Sequence, residues 1–167
     1  MTTLTSSAAP WRARWVEPVE AADSPRVQRP VYRLVSDFKL TGSPTRAALR
    51  FTAHGVAEMF MNGRRVGDAE LLPGFTAYQQ RLQVFTLDVT ELVNSGQNTV
   101  GALLSDGWWR GQHGVGRHTD CHGSTVALLA ELTVTLDDGS VHVCGRGDRV
   151  RRYDDSSAES QIGRAHV

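Results

Sequence analysis

Apolar and polar residues alternate along much of the chain with a repeat of two, the spacing of a strand that buries one face. Ala47, Leu49, Phe51 and Ala53 fall on one side of such a segment, with Arg46, Ala48, Arg50 and Thr52 on the other. Val56 to Met61 follows as a run apolar on both faces, and Gly55 between them marks a bulge or a corner, because glycine weakens a plain strand interior. Asn62-Gly63 then supplies the two positive φ values of a type I′ turn, predicting a hairpin that returns through Arg64, Arg65 and Val66. Leu82 to Leu87 and Thr99 to Leu104 read as further strands, and between them Asp88 heads one short helical turn running to Val93. The clearest alternation comes last: Val126, Leu128, Ala130, Leu132, Val134 and Leu136 form one apolar row, with Glu131, Thr133 and Thr135 opposite. Asp138-Gly139 predicts a second type I′ hairpin, with Val141 to Cys144 as its return arm. Short antiparallel strands between turn residues predict an all-β antiparallel sandwich or jelly roll.

At 167 residues the chain is expected to hold one domain. Its expected parts are an N-terminal extension with an edge segment (1–29), the sandwich (30–155), a linker (156–161) and a tail (162–167). The tail, Ile162-Gly163-Arg164-Ala165-His166-Val167, is what ATC GGA AGA GCA CAC GTC would encode, a run that looks like a sequencing adapter, so these residues are expected not to be biological. Eighteen basic and eighteen acidic side chains cancel, which removes the footprint of a nucleic-acid or anionic-membrane binder and leaves neutral partners such as sugars. No apolar run reaches the length of a membrane span. The first residues lack the basic start and apolar stretch of a secretion signal, so a cytoplasmic location is expected. Cys121 and Cys144 have no zinc-site spacing and are read as reduced thiols, with a single bridge between them as the alternative. His113, His118, His122 and Asp120 carry metal-capable groups, but their glycine-rich spacing would not hold a metal; we expect a solvated or interface loop, no metal and no cofactor.

The unusual residues gather in two loops. In Trp108-Trp109-Arg110 a flat ring can stack on the C–H face of a pyranose while a guanidinium forks onto vicinal hydroxyls. The competing reading has one tryptophan plugging the end of the sandwich with the arginine packed across it. Extended backbone there would point Trp108 and Trp109 to opposite sides, one into the core and one outward. Phe75 and Tyr78 in the other loop join them as candidate contacts for a carbohydrate or a neighbouring domain. His54, adjoining a strand, reads as a half-exposed surface imidazole. Glycoside hydrolysis needs two carboxyl groups flanking the scissile bond; Asp68, Glu70, Asp106 and Asp120 lie in loops without a convincing pairing, so no catalytic residue is assigned.

The order of Asn62-Gly63-Arg64-Arg65-Val66-Gly67, Leu72-Pro73-Gly74-Phe75-Thr76-Ala77-Tyr78, Thr86-Leu87-Asp88-Val89-Thr90, Gly96-Gln97-Asn98 and Asp106-Gly107-Trp108-Trp109-Arg110-Gly111 resembles the N-terminal domain of bacterial α-L-rhamnosidases of glycoside hydrolase family 78, from about Trp15 to Asp155. The hairpin, the Asp-Val-Thr stretch and the Gly-x-Asn turn fit equally the galactose-binding-like jelly rolls of other glycosidases such as β-galactosidases; the two loop segments tip the choice. The resemblance implies an accessory sandwich for substrate recognition, or for bracing the (α/α)₆ barrel that carries the family's catalytic acids. Its implied partners are rhamnose-containing carbohydrate and that barrel. A free-standing carbohydrate-binding module is the alternative.

Overall fold

The structure is a computed structural model that describes residues 10–20, 25–26, 29–145 and 150–153. The expected linker 156–161 and tail 162–167 lie outside the described residues. The described strands are β1 (Tyr32–Leu40), β2 (Pro44–His54), β3 (Val56–Met61), β4 (Arg64–Arg65), β5 (Phe85–Asp88), β6 (Gly96–Ser105), β7 (Ala127–Leu136), β8 (Val141–Cys144) and β9 (Val150–Tyr153). They form two antiparallel sheets, ordered β4-β3-β6-β1-β9 and β5-β2-β7-β8. The fold is the antiparallel β-sandwich that the alternation predicts.

The inner rows are those read from the sequence. Ala47, Leu49, Phe51 and Ala53 are buried, and β2 pairs with β7 so that Leu49 faces Leu132 and Phe51 faces Ala130. Tyr32, Leu34, Met59, Ala102 and Leu104 close the core from the other sheet. Burying each large apolar side chain there contributes about 1.5–3 kcal/mol. Gly55 is a corner: β2 ends at His54 in one sheet and β3 begins at Val56 in the other, with Gly55 at φ +130° between them. A β-carbon at Gly55 would strike the carbonyl oxygen of Ser105, so only glycine fits.

Asn62 and Gly63 both have positive φ, 52° and 79°, as the predicted I′ hairpin requires. Nothing lies within 4 Å of a β-carbon built on Gly63. Gly63→Val should therefore lose stability through backbone strain alone, about 1–3 kcal/mol, seen as a lower melting temperature. An unchanged melting temperature would show that the turn tolerates a branched residue. Asn62 also reaches away from its own hairpin: its Nδ2 donates to Leu92 O (2.7 Å) and Asn98 Oδ1 (2.9 Å), and its Oδ1 accepts from Thr99 N (2.8 Å). Asp88 Oδ1 accepts from Thr90 N at 2.9 Å, while Thr90 Oγ1 accepts from Ala47 N at 2.9 Å. The Asn-Gly, Asp-Val-Thr and Gly-x-Asn motifs thus brace one another and the edge of β2.

Three expectations need correcting. The second hairpin is not type I′: among Asp138 and Gly139 only Gly139 has positive φ (80°), and Asp138 Oδ1 instead accepts from Ser140 N at 2.8 Å, which holds Asp138 in ordinary turn backbone. The strand expected from Leu82 begins only at Phe85. The Asp106–Gly111 segment is not extended; Gly107–Arg110 forms one helical turn, α1, entered through Gly107 at φ +50°.

Residues 10–20 of the extension lie along the sandwich. Val16 bridges to Leu128 by reciprocal backbone bonds of 2.8 and 2.9 Å, and Arg14 N donates to Gly145 O at 3.2 Å, where β8 has already ended. Glu131, on the outer side of β7, is buried because it serves this segment: its Oε2 accepts from Arg12 N (2.6 Å) and Ala13 N (3.1 Å), and its Oε1 pairs with Arg50 (2.9 Å).

Candidate functional site

One end of the sandwich is an aromatic cluster built from α1, the loops beside it, the β2 corner and the extension. Trp109 stacks face to face on His54, with centroids 4.0 Å apart and planes 4° apart, and His54 stacks in turn on Trp15 at 4.4 Å. Tyr78 meets Trp109 edge-on at 5.2 Å, and the Trp109 Nε1–H donates to Thr125 O at 2.9 Å. Gly123 lies so close against the indole that a β-carbon there would overlap it. Further out, His122 lies 4.9 Å from Tyr78, 5.9 Å from Phe75 and 5.6 Å from His113. His113 Nε2 is 2.6 Å from the Trp108 carbonyl, which can only accept, so that nitrogen carries the proton.

These placements separate the five candidate residues. Phe75 is 59% exposed and presents its ring outward, whereas Tyr78 is 8% exposed, with its hydroxyl donating to Gly74 O at 3.1 Å. Trp108 is half-buried and takes no part in the ring stack, while Trp109 packs against the core. Arg110 overturns its expected place on the binding face. Its side chain is fully buried because carboxylates draw it inward: Nε lies 2.6 Å from Asp106 Oδ1, Nη1 lies 2.7 Å from Glu20 Oε1, and Nη1 donates to Ser124 O at 2.9 Å. Burial opposes the charge, but the hydrogen bond to Asp106 and the ion pair with Glu20 outweigh it and raise the Arg110 pKa. The Arg110 guanidinium is therefore not free to fork onto a ligand. The cation–π contact expected with a tryptophan is instead made to Tyr32, at 5.8 Å.

The glycine-rich loop is also ordered by charge. Arg29 holds Asp120 through two bonds (2.8 and 3.3 Å) and approaches Asp106 at 3.7 Å, and the hydrogen bond from Arg29 is what chiefly lowers the Asp120 pKa. His113 and His118 bridge across the tip of the loop, and among the described residues no group of three His, Cys, Asp or Glu is placed to hold a metal. Cys121 and Cys144 are free. Arg29, Glu20, Trp15 and the sandwiched position of His54 were not singled out from the sequence. They act through contacts far along the chain, and only the position of His54 beside Gly55 hinted that it occupies a corner.

Burial holds the His54 imidazole below its ordinary 6.5, against a smaller opposing pull from Glu17. Because the folded state disfavours the proton relative to the unfolded chain, this contribution is full above 6.5 and is lost as pH falls below that value. The melting temperature should therefore drop between about pH 7.5 and about pH 5, and His54→Phe, which keeps a ring without a titrating nitrogen, should drop less. Equal pH slopes for the two proteins would contradict this.

With fold and site described, the comparisons with known proteins place the chain among β-sandwich domains of glycoside-cleaving enzymes. Residues 42–162 match the alpha-L-rhamnosidase N-terminal domain family, and the chain belongs to that family. It is 35% identical over 136 residues to an alpha-L-rhamnosidase of Formosa agariphila, covering 78% of this chain and 15% of that protein. It is 39% identical over 135 residues to one from Streptomyces avermitilis, covering 80% of this chain and 12% of that protein. Among solved structures, a native Aspergillus terreus alpha-L-rhamnosidase superposes with a TM-score of 0.80 at 30% identity, over 86% of this chain and 17% of that one. The Streptomyces avermitilis enzyme complexed with L-rhamnose superposes with a TM-score of 0.72 at 36% identity, over 75% of this chain and 12% of that one. The chain thus spans about 12–15% of the length of these curated relatives. A Pleurotus ostreatus lectin, at 14% identity and a TM-score of 0.54, shares the fold.

Proposed function

We propose that the chain serves as the accessory sandwich of an α-L-rhamnosidase, seating its aromatic end against the catalytic barrel of the same enzyme. The observation that carries this reading is the division of labour at that end. Arg110 and Tyr78 are turned inward, while Phe75 at 59% exposure, Leu71 at 58% and Val115 at the tip of the neighbouring loop face out, with the exposed polar side chains of Gln79, Arg81, Arg117 and His118 beside them. Exposed apolar side chains ringed by polar ones suit a protein face. The test is a chimera in which this chain replaces the matching segment of the Streptomyces avermitilis relative. Phe75→Asp should lower the melting temperature of the chimera while leaving the isolated domain unchanged; no effect in the chimera would remove the bracing role.

The half-buried Trp108 and the exposed Phe75 ring support a second reading, direct contact with rhamnose-containing carbohydrate. Calorimetric titration with L-rhamnose separates the two, since a brace binds none and a recognition domain gives saturable heat that Phe75→Ala removes.

The chain by itself is expected to release no aryl group from an aryl α-L-rhamnoside. Inversion needs an acid and a base with room for water between them, and Asp106 and Asp120 are held by Arg110 and Arg29 while Glu70 pairs with Arg65 at 2.9 Å. Turnover that persists through further purification would overturn this expectation.

A further inference from the structure

Resting on the reading that the aromatic end is the contact face of this domain, we infer that residues 11–20 are its positioning strap, with Trp15 setting the plane of Trp109 and Glu20 the place of Arg110. The strap lies ahead of the family match, which begins at residue 42. Its first half is anchored to the body of the sandwich and away from the loops: Arg12 and Ala13 to Glu131, the Trp11 ring over the Arg50 guanidinium at 3.9 Å, and Val16 to Leu128. Its other contacts reach the aromatic end, Trp15 through His54 to Trp109 and Glu20 to the Nη1 of Arg110.

From there the position passes along backbone bonds. Trp109 O accepts from His122 N at 3.1 Å, and Arg110 O accepts from Asp120 N at 2.9 Å. His122 then meets Phe75 and Tyr78, the first of which faces solvent. The loop that carries Asp120 and His122 contains Gly111, Gly114, Gly116 and Gly123, so its own backbone offers little stiffness and depends on outside anchors. Two of those anchors are on the strap, and a third, Arg29, holds Asp120.

The experiment is residue-resolved native-state hydrogen exchange on the full chain and its Trp15→Ala and Glu20→Gln variants. A positioning strap predicts that the Asp120 and His122 amides lose protection by about tenfold or more, while amides of the β2–β7 pairing, such as Leu49 and Leu132, keep theirs. Trp15→Phe, which preserves a stacking ring, should restore the loop amides. Loop amides that stay within about twofold of the parent would overturn the proposal. So would loop and core amides losing protection together, because the strap would then be a general stabiliser. L-Rhamnose titration and the melting of the chimera, run on the same variants, keep the two ideas apart. If the parent protein shows neither binding nor bracing, the functional reading fails, while the exchange data still decide the strap.

Discussion

Trp109→Ala is expected to lower stability by about 3 kcal/mol, the lower end of the range for truncating a large aromatic because the ring is only partly buried, and to cost more than Trp108→Ala, whose ring takes no part in the stack. The difference follows from how α1 aims the two rings. Trp109 fills the space between His54 and Gly123, touches Tyr78 and donates its indole N–H to Thr125 O, so its loss leaves a gap in the stack. Trp108 is half-buried, and its backbone carbonyl, which truncation leaves in place, receives the bond from His113. Chemical denaturation of both variants checks this, and equal losses would mean that the two rings share the packing.

Arg110→Met should cost about 3 kcal/mol, the lower end of the range for breaking a buried ion pair from one side. The lower end is appropriate because the side chains of Asp106 and Glu20 keep 21% and 25% of their exposure and are partly relieved by solvent, whereas that of Arg110 has none. Arg110→Lys should recover little, since one ammonium cannot reproduce the separate Nε and Nη1 contacts of the guanidinium. Adding Asp106→Asn to Arg110→Met should return only a small part of the loss, because Asp106 keeps Arg29 at 3.7 Å. Denaturant midpoints with unchanged slopes would measure each step. A methionine variant as stable as the parent would show that the network contributes position and no net stability.

What the sequence revealed depended on whether the deciding interaction was local. The β2 and β7 rows and the Asn62-Gly63 hairpin rest on side-chain alternation or on residues adjacent in the chain, and the structure has them where the pattern places them; the short helical turn is also there, but it spans Thr90–Leu92 and opens from Val89 without a side-chain cap. Gly55 was legible as bulge or corner but not as which, because that depends on Ser105 closing over it. The aromatic end was located correctly and misread in detail. Extended backbone was one possibility for Asp106–Gly111, yet Gly107 starts a helical turn, and the two readings for Arg110, a surface fork or packing across a tryptophan, both missed Glu20, far back in the chain, which draws it inside. Glu131 shows the same limit: its place opposite the apolar row suggests solvent, and only the returning extension covers it. Asn62 and Asn98 brace each other across the fold, a role that the turn motifs alone do not disclose.

The pairing of β2 with β7 also fixes the timing of folding during synthesis. His54 finds its partner Ala127 only after about 70 further residues have been made, a wait on the order of 4–15 seconds at the usual rate of chain elongation. Through that interval β2 can pair within its own sheet only with β5, once residue 88 has been made, and its other edge stays open. The sheet therefore closes late, with an unpaired edge of β2 open to other chains until β7 has been made.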